Sequence, residues 1–440
     1  MIPKTVDTLS HLTPRKAVLV GACFPETLRF EASMAELEGL AKALQIEPVG
    51  VATQNLIRED KAFYIGKGKV EEVRIAADSL DADLILFNNT LSPSQLTNLT
   101  KALELEVLDR TSLILNIFAE RARTKEARMQ VDYARLKYML PRLVGLRNNL
   151  SRQGGSGVGG GGASLSNRGA GEKKIELDRR RIERQMTQLR HGLAEVQGQR
   201  DTQRKRRERS GMPLVSLVGY TNAGKSTLLN LFLSECGADG EKQVDAADML
   251  FATLDTSVRQ IAPPGRRPFL LSDTVGFIDD LPTALVDAFR STLEEALHAD
   301  LILQIIDCSD PEHQNHIRVT EETLADLGAG AIPVLYVMNQ ADKLSEEQRG
   351  GPLPQLRGDR IFLSAKDPGC LPALLDQIET ALQAGRQVCD FLIPYGDSRL
   401  EGVIRKAATV LSCQYQEDGI AIQAVADTAL REQLSAYLLV

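Results

Sequence analysis

Hydrophobic and polar positions near the amino terminus alternate between two periods. Continuous apolar runs with the length of β-strands occupy residues 17–21, 49–52 and 84–87. Apolar side chains recur at helical spacing around them, for example at Met34, Leu37 and Leu40, and over residues 70–80 and 94–103. Strands that alternate with helices are typical of a parallel sheet covered by helices. The pattern therefore predicts an N-terminal α/β domain over residues 1–111.

The middle of the chain contains two long helical patterns that are rich in basic residues. The first covers residues 112–150, with an interruption near Pro141. The second has an apolar stripe formed by Ile175, Ile182, Met186, Leu189, Leu193 and Val196. Residues 154–171 between them are rich in Gly and Ser, so we predict a flexible loop there. Residues 112–211 should thus form an antiparallel helical hairpin whose tip projects from the body.

Alternating strands and helices return after the hairpin. They extend from Leu214 to about Ala384 and predict a further α/β domain over residues 212–386. Shorter elements then predict a small α+β domain over residues 387–440. These are a strand at residues 391–393, a helix at 400–411, a hairpin strand at 419–425 and a terminal helix.

The formal net charge of −7 over 440 residues conceals an uneven distribution. Residues 120–211 contain 23 Lys and Arg against 10 Asp and Glu, a net charge of +13, so the rest of the chain carries −20. A basic segment in an acidic protein is the charge pattern of a nucleic-acid contact. A solvated helical pair whose charges only maintain solubility is the alternative.

Cysteine and hydropathy patterns indicate where the protein acts. The six Cys are scattered, without a C-x-x-C pair, which favours a reduced cytosolic protein. The amino terminus lacks the layout of a signal peptide, and the apolar runs are far too short to span a bilayer. We expect a cytoplasmic protein with no membrane contact.

A phosphate-binding loop follows the apolar run at residues 214–218. It matches the pattern G-x-x-x-x-G-K-[ST] at Gly219, Tyr220, Thr221, Asn222, Ala223, Gly224, Lys225 and Ser226, with Thr227 next. Glycines let backbone N–H groups surround phosphate oxygens, and the following helix adds a favourable dipole. We expect Lys225 to reach the β- and γ-phosphates and the Ser226 hydroxyl to ligate Mg²⁺. A glycine turn with a purely structural role is the alternative.

Three later motifs specify the base. They are Asp273, Thr274, Val275 and Gly276; Asn339, Gln340, Ala341 and Asp342; and Ser364, Ala365 and Lys366. Their order and spacing resemble the motifs of translation-factor-like GTPases. Asp273 should hold Mg²⁺ through water, and the Gly276 N–H should contact the γ-phosphate. Asp342 can accept two hydrogen bonds that guanine offers and adenine lacks, and the Ala365 N–H should reach guanine O6. The chain is therefore predicted to bind and hydrolyse GTP.

Thr253 lies between the phosphate-binding loop and Asp273. GTPases keep a mobile threonine in this interval, and an ordinary loop threonine is the alternative. Its hydroxyl would complete the Mg²⁺ shell when a γ-phosphate is present. Lys225, Thr253 and Gly276 are therefore the expected catalytic residues, and Ser226, Thr253 and Asp273 the expected metal site.

Three residues depart from common GTPase patterns or refine them. Gln340 replaces the Lys of the usual Asn-Lys-x-Asp motif, which predicts a modest reduction in affinity. Phe277 stands where Ras-like enzymes place a water-orienting Gln, so intrinsic turnover should be slow until a partner completes the site. Asn222 resembles the asparagine of potassium-activated GTPases, and stimulation by K⁺ is a hypothesis.

Taken together, these motifs and several earlier stretches resemble the HflX family of ribosome-associated GTPases. The similar stretches span nearly the whole chain and cover residues 64–72, 109–111, 117–122, 140–143, 171–181, 219–222 and 273–277. The resemblance implies binding to the large ribosomal subunit and GTP-dependent splitting of stalled 70S ribosomes, often under stress. It also implies that the helical hairpin reaches rRNA. Some family members bind ATP through the N-terminal domain, but residues 66–69 here are too short a signal to predict this, and a basic turn before a helix is the alternative.

Two other functions fit the same residues. One is a signalling switch whose GTP-bound form recruits a protein partner, with the hairpin as a docking arm. The other is a nucleotide-driven RNA-remodelling factor. The main expectation is a monomer that binds GTP or GDP, Mg²⁺ and the large ribosomal subunit with its rRNA.

Overall fold

The structure, a computed structural model, describes residues 14–25, 27, 29–152, 164–210, 212–236, 251, 257–274, 276–278, 296–383, 387–426 and 428–439. These residues form two compact units. The first unit takes its described residues from Met1–Val196, Ala247–Asp255 and Gly276–Ser291. The second takes them from Gln197–Ala246, Thr256–Val275 and Thr292–Val440.

Within the described residues of the first unit, four strands form a parallel sheet in the order β2-β1-β3-β4. The strands are β1 (Arg15–Cys23), β2 (Ile46–Asn55), β3 (Leu84–Phe87) and β4 (Glu106–Asp109). The helices are α1 (Phe30–Ala43), α2 (Lys67–Ser79), α3 (Pro93–Leu103) and α4 (Arg110–Arg121). β3 is buried along its whole length, as expected for a parallel strand covered on both faces. The predicted parallel α/β fold is confirmed, although the pattern missed β4 because exposed Glu106 shortens its apolar run.

Two long helices follow, α5 (Lys125–Arg152) and α6 (Ser164–Ser210). Arg190 of α6 donates a hydrogen bond to the Tyr133 hydroxyl of α5 at 2.9 Å. Nearby, a Cβ atom added to Gly192 would lie 3.0 Å from Met129 Sδ. Because the residue numbers rise along α5 as they fall along α6, the helices run antiparallel. The predicted helical pair is therefore confirmed.

The predicted interruption near Pro141 is wrong, because this proline lies inside α5. Proline removes one backbone hydrogen bond from a helix. The neighbouring Arg142 anchors the helix there, since its guanidinium donates to Asp109 Oδ2 and to the Leu91 carbonyl, both at 3.0 Å. The helical break falls instead at residues 122–124, between α4 and α5.

The loop predicted over residues 154–171 is also partly wrong. Residues 164–171 form the first turns of α6, while residues 153–163 lie outside the described part of the chain. Gly169 and Gly171 each disfavour the helix by about 1 kcal/mol relative to alanine. Extending an existing helix requires no new nucleation, so a long helix tolerates both residues.

Phe251 belongs to the first unit although it lies far along the chain. Its ring packs edge-to-face against Phe118 of α4, with centroids 4.6 Å apart. Both side chains are almost fully buried. The φ angle of Phe251 is +56°, in the left-handed region that bulky residues rarely adopt. Burial of the ring therefore stabilises an otherwise unfavourable backbone conformation.

Within the described residues, the second unit contains a sheet in the order β10-β11-β9-β8-β5-β7-β6. The strands are β5 (Leu214–Gly219), β6 (Ser257–Ile261), β7 (Phe269–Asp273), β8 (Leu301–Asp307), β9 (Val334–Asn339), β10 (Gln355–Arg357) and β11 (Arg360–Phe362). The helices are α7 (Lys225–Cys236), α8 (His313–Leu327), α9 (Glu346–Arg349) and α10 (Leu371–Gln383). β6 and β10 pair antiparallel at the two edges, and the interior pairs are parallel.

A second sheet in this unit is antiparallel, in the order β13-β14-β12-β15. Its strands are β12 (Gln387–Ile393), β13 (Thr409–Gln416), β14 (Gly419–Ala426) and β15 (Leu438–Leu439), with helices α11 (Arg399–Ala407) and α12 (Thr428–Gln433). The predicted α+β fold is confirmed. The predicted helix at residues 400–411 extends too far, because residues 409–411 belong to β13, which pairs with β14.

Among the described residues, no helix combines the length and the apolarity that crossing a bilayer requires.

Candidate nucleotide-binding site

The carboxyl ends of three parallel strands meet at one edge of the sheet in the second unit. β5 pairs with β7 on one side and with β8 on the other, and β8 pairs with β9. Gly219 ends β5, Asp273 ends β7 and Asn339 ends β9. Open α/β sheets bind ligands at this edge. The fold therefore brings three of the predicted sequence motifs to the expected place.

Gly219, at the end of β5, and Gly224, in the loop that follows, have no room for a side chain. Gly219 has a φ of +156°, and an added Cβ would lie 2.2 Å from the Ile305 carbonyl oxygen. Gly224 has a φ of +93°, and its Cβ would lie 2.3 Å from Asn339 Nδ2. Such separations are far below van der Waals contact. The loop shape thus requires glycine at both positions.

Lys225 is the first residue of α7, and its ammonium group turns back onto the loop. Nζ donates to the Gly219 carbonyl at 3.0 Å and to the Tyr220 carbonyl at 2.8 Å. Burial lowers the pKa of Lys225 to about 8, against the opposing influence of the Asp273 carboxylate. The buried charge lies where P-loop proteins bind phosphate.

The loop and the end of β7 also place polar oxygen atoms near Lys225. Asp273 is fully buried, and the next residue, Thr274, donates from Oγ1 to the Leu217 carbonyl at 2.7 Å. The buried Thr221 Oγ1 has no hydrogen-bond partner among the described residues. Ser226 lies in the first turn of α7, followed by Thr227. Carboxylate and hydroxyl oxygens of this kind suit phosphate and Mg²⁺ chemistry.

Asn339 connects three parts of the site. Its Nδ2 donates to the Ala223 carbonyl at 2.8 Å, and its Oδ1 accepts from the Ala365 N–H at 2.9 Å. Its own carbonyl accepts from both the N–H and the thiol of Cys308, each at 3.0 Å. Burial and the Asp307 carboxylate raise the pKa of Cys308 to about 12, so the thiol remains a donor.

In the structure the Ala365 N–H donates to Asn339 Oδ1. Its contact with guanine O6 remains a prediction. The amide of Asn339 is closer in the fold than the sequence separation suggests, because β9 and β11 are adjacent parallel strands. Ser364, before it, is buried, whereas Lys366, after it, is exposed.

Gln340 and Asp342 lie immediately beyond β9. Gln340 has a φ of +60°, and its Nε2 donates to the Asn222 carbonyl at 3.1 Å. Asp342 lies in the short 3₁₀ turn Ala341–Lys343, with its side chain exposed. An exposed carboxylate just beyond the end of this strand is accessible to a nucleobase.

The roles of the other predicted residues remain predictions. Gly276 and Phe277 are buried and belong to the first unit, whereas Asp273 belongs to the second. Thr253 and Val275 lie outside the described residues. The structure therefore unites the loop, Asp273, and the motifs at Asn339 and Ser364, but it does not describe the complete predicted catalytic set.

Sequence reasoning missed two neighbours of the loop. The His316 ring of α8 stacks on the Tyr220 ring, with centroids 3.8 Å apart and an interplanar angle of 11°. Cys308 binds the carbonyl of Asn339, as described above. Neither belongs to a motif of fixed spacing. One signal in the sequence could have indicated Cys308 and His316. Both follow β8, which pairs with the strand that precedes the loop.

The parallel sheet, the glycine loop with its buried lysine, and the motif ending in Asp342 define a P-loop GTPase. Such a protein binds GTP and GDP and hydrolyses GTP. Family models match residues 31–119 (GTP-binding GTPase N-terminal), 121–207 (GTP-binding GTPase Middle Region) and 214–340 (50S ribosome-binding GTPase). The chain belongs to the HflX family of GTPases.

Two curated relatives and one solved structure illustrate the similarity. GTPase HflX of Caldanaerobacter subterraneus subsp. tengcongensis is 42% identical, covering 93% of this chain and 91% of the relative. GTPase HflX of Akkermansia muciniphila is 41% identical, covering 96% and 97%. A crystal structure of a GTP-binding protein from Sulfolobus solfataricus in complex with GDP is 24% identical, covering 84% of this chain and 99% of that one, with a TM-score of 0.43.

Proposed function

We propose that this GTPase binds the large ribosomal subunit and uses its GTP cycle to dissociate stalled 70S ribosomes, particularly under stress. The proposal places it in the cytoplasm as a monomer. Family membership supports the proposal, because the family model that matches residues 214–340 is described as a 50S ribosome-binding GTPase. The observation that carries it is the basic helical pair that precedes the phosphate-binding loop.

The described part of α6 presents arginines to solvent. Arg179, Arg180 and Arg184 are all exposed. Arg179 pairs with Glu183 at 2.9 Å, and Arg180 with Glu176 at 3.0 Å. Exposed pairs within one helix contribute at most a few tenths of a kcal/mol and are screened by salt. They leave the net positive charge of the segment available to rRNA phosphates.

We propose four functional regions: an N-terminal α/β domain at residues 1–111, a ribosome-contacting hairpin at 112–211, the GTPase domain at 212–386 and a small α+β domain at 387–440. The hairpin leads directly into the GTPase domain, since α6 ends at Ser210 and β5 begins at Leu214. A ribosome bound to the hairpin could thus influence the nucleotide site through a short connection.

For the chemistry, we propose that Lys225 binds the β- and γ-phosphates and that Gly276 donates its N–H to the γ-phosphate. Ser226, Thr253 and, through water, Asp273 would hold Mg²⁺, which neutralises developing charge on the phosphate oxygens when bound. The oxygen chemistry of this set and the buried Thr221 hydroxyl support the fit. Asp342 would read guanine, because adenine cannot satisfy its carboxylate.

Two further properties belong to this proposal. Buried Phe277 offers no group that could orient water, so intrinsic hydrolysis should be slow and the ribosome should stimulate it. Asn222 lies in the loop with a φ of +61°, and we propose that it supports stimulation by K⁺. Equal turnover in Na⁺ and K⁺ buffers would remove the K⁺ proposal without affecting the ribosomal one.

Sedimentation with purified large subunits tests the function directly. With a non-hydrolysable GTP analogue, the protein should comigrate with 50S particles, and the subunits should raise the rate of GTP turnover. Replacing Arg179, Arg180 and Arg184 with Glu should weaken both effects and leave GDP affinity unchanged. Arg318→Glu is a matched control, because Arg318 is an exposed arginine paired with Glu322 on α8. If the triple variant comigrates with 50S particles as well as the wild type does, these arginines of α6 do not bind the large subunit, and the proposal loses the observation that carries it.

A further inference from the structure

We infer that His316 is a positioning residue of the GTPase site, because its ring supports the Tyr220 ring and thereby orients the backbone that binds Lys225. His316 lies in α8, outside the sequence motifs of the site. The inference depends on GTP hydrolysis and not on the proposed ribosomal role.

The stack is close and well buried. The two ring centroids lie 3.8 Å apart, and the rings are parallel to within 11°. Tyr220 is 7% exposed, and the His316 side chain is 16% exposed. Contact between two flat faces restricts rotation of the Tyr220 side chain about its bonds. It also excludes water from one face of the ring.

His316 itself is held by the segment that follows β8. The backbone N–H of His316 donates to the Glu312 carbonyl at 3.1 Å, at the start of α8. Its Nδ1 lies 4.0 Å from Asp310 Oδ2, and Asp310 Oδ1 accepts from the Glu312 N–H at 2.8 Å. Asp310 thus binds the start of the helix and lies beside the imidazole. The helix thus holds the backbone of His316 beside the loop, with the ring against Tyr220.

The same segment is attached to the rest of the site. Cys308 lies just before Asp310, and its N–H and thiol both donate to the Asn339 carbonyl. Asn339 in turn donates to the Ala223 carbonyl of the loop at 2.8 Å. The His316 ring on α8 therefore contacts the loop at Tyr220, and the Asn339 amide at the end of β9 contacts it at Ala223.

The contact matters because of what the Tyr220 backbone does. Lys225 Nζ donates to the Tyr220 carbonyl at 2.8 Å, a shorter hydrogen bond than the one to the Gly219 carbonyl at 3.0 Å. We infer that loss of packing on the Tyr220 ring lets the Tyr220 backbone shift, and with it the carbonyl that binds the ammonium group. Phosphate transfer depends strongly on such positioning. A stack that only fills space would predict lower stability without a specific effect on nucleotide binding.

Three single variants separate these possibilities. His316→Ala should raise KM for GTP and Kd for GDP by about three- to tenfold, which corresponds to the loss of one aromatic contact. The value of kcat at saturating GTP should change by less than about twofold, since bound phosphate restores the Lys225 position. His316→Phe retains a flat ring and should return both constants to near wild-type values. Gln314→Ala, an exposed change on the same helix, should have no effect.

A double-mutant cycle with Tyr220→Leu completes the test. If His316 acts through Tyr220, the double variant should bind GDP no more weakly than Tyr220→Leu alone. Additive losses, unchanged affinity in His316→Ala, or failure of His316→Phe to restore binding would each overturn the inference. Thermal unfolding of every variant identifies folding defects. Should His316→Ala not fold, His316→Phe and His316→Leu provide the same comparison between a flat ring and an aliphatic side chain.

Discussion

Gln340 donates a hydrogen bond from Nε2 to the Asn222 carbonyl at 3.1 Å. Both residues have left-handed φ angles, +60° for Gln340 and +61° for Asn222. The bond joins the end of β9 to the phosphate-binding loop at a position where the common GTPase motif has a lysine. The neutral amide of Gln340 thus links β9 to the loop without the positive charge of a lysine.

We predict that Gln340→Ala raises the Kd values for GTP and GDP equally, by about two- to tenfold, since one hydrogen bond stabilises by about 0.5–1.5 kcal/mol. Gln340→Lys should bind nucleotide at least as tightly as the wild type, because its ammonium group can donate to the same carbonyl and it restores the residue of the usual motif. Gln340→Glu should bind more weakly than the alanine variant, since its carboxylate would face a carbonyl oxygen. Fluorescent-nucleotide titration measures all three. Lys343→Ala, an exposed change in the next turn, is the control.

Lys225 predicts a pH dependence of nucleotide affinity. Its pKa is lowered to about 8, and phosphate binding favours the protonated form. Above pH 8, binding must therefore be accompanied by proton uptake, and affinity falls as pH rises. We expect GDP affinity to decrease roughly threefold between pH 7.5 and pH 8.5. Calorimetry in buffers of different ionisation enthalpy should detect the proton uptake.

Lys225→Arg provides the comparison for this effect. Arginine remains charged throughout this pH range, so the variant should show a flat profile even if its overall affinity is lower. A wild-type profile that is equally flat between pH 7.5 and pH 8.5 would contradict the assignment to Lys225.

Asp109 forms the polar centre of the first unit. Its carboxylate accepts from the N–H and the hydroxyl of Ser112, at 2.8 and 2.7 Å, and from the Tyr138 hydroxyl. Arg142 adds an ion pair at 3.0 Å. Burial and the Asp109 charge raise the pKa of Tyr138, so its hydroxyl stays a donor. The network explains why α5 continues past Pro141.

Asp109→Ala should therefore lower the free energy of unfolding by about 3 kcal/mol or more, because it leaves Arg142 partly buried without its counter-charge. Denaturant titration measures the loss. Glu106, on the same strand, forms a more exposed ion pair with Arg15 at 2.6 Å. Glu106→Ala should therefore lower the free energy of unfolding by less than about 1 kcal/mol. Similar losses in both variants would show that burial does not set the strength of these pairs.

Gly224 and Gly328 allow steric exclusion to be separated from backbone strain. Their φ angles are almost equal, +93° and +94°, but an added Cβ meets Asn339 Nδ2 at 2.3 Å only in Gly224. For Gly328, no atom lies within 4 Å of the added Cβ. Gly328→Ala should therefore cost about 1–2 kcal/mol of stability and leave GDP affinity unchanged.

Gly224→Ala should carry the same strain and also displace the Asn339 amide from the loop. We expect GDP affinity to fall at least tenfold, which isothermal titration can measure. Equal effects of the two substitutions on affinity would show that the close approach to Asn339 is unimportant.

The sequence predicted the parts of this protein that depend on local spacing. A strand, a glycine loop and a helix lie in immediate succession around Lys225, and a strand end fixes Asp273 and Asn339 in the same way. Contacts between distant residues were not predictable. No spacing rule links Asp109 to Arg142, or Tyr220 to His316, because neighbouring strands and helices bring them together.

The wrong predictions also have physical causes. Gly-rich composition indicated a loop through residue 171, but α6 extends over residues 164–171 as part of a 47-residue helix. Pro141 indicated a break, but side-chain bonds of Arg142 compensate for the lost backbone bond. Both errors arise where long-range contacts or helix length outweigh a local preference.

The Phe118 and Phe251 pair has a practical consequence for dissecting the chain. A fragment that starts at residue 212 would contain Phe251 but lack Phe118 and the rest of α4. An aromatic side chain that is 2% exposed in the full chain would then face water, a few residues before β6. Exposed apolar groups promote self-association. Turnover measured on such a fragment would therefore describe a protein with an altered surface, and Phe251→Ser is a sensible companion change in its design.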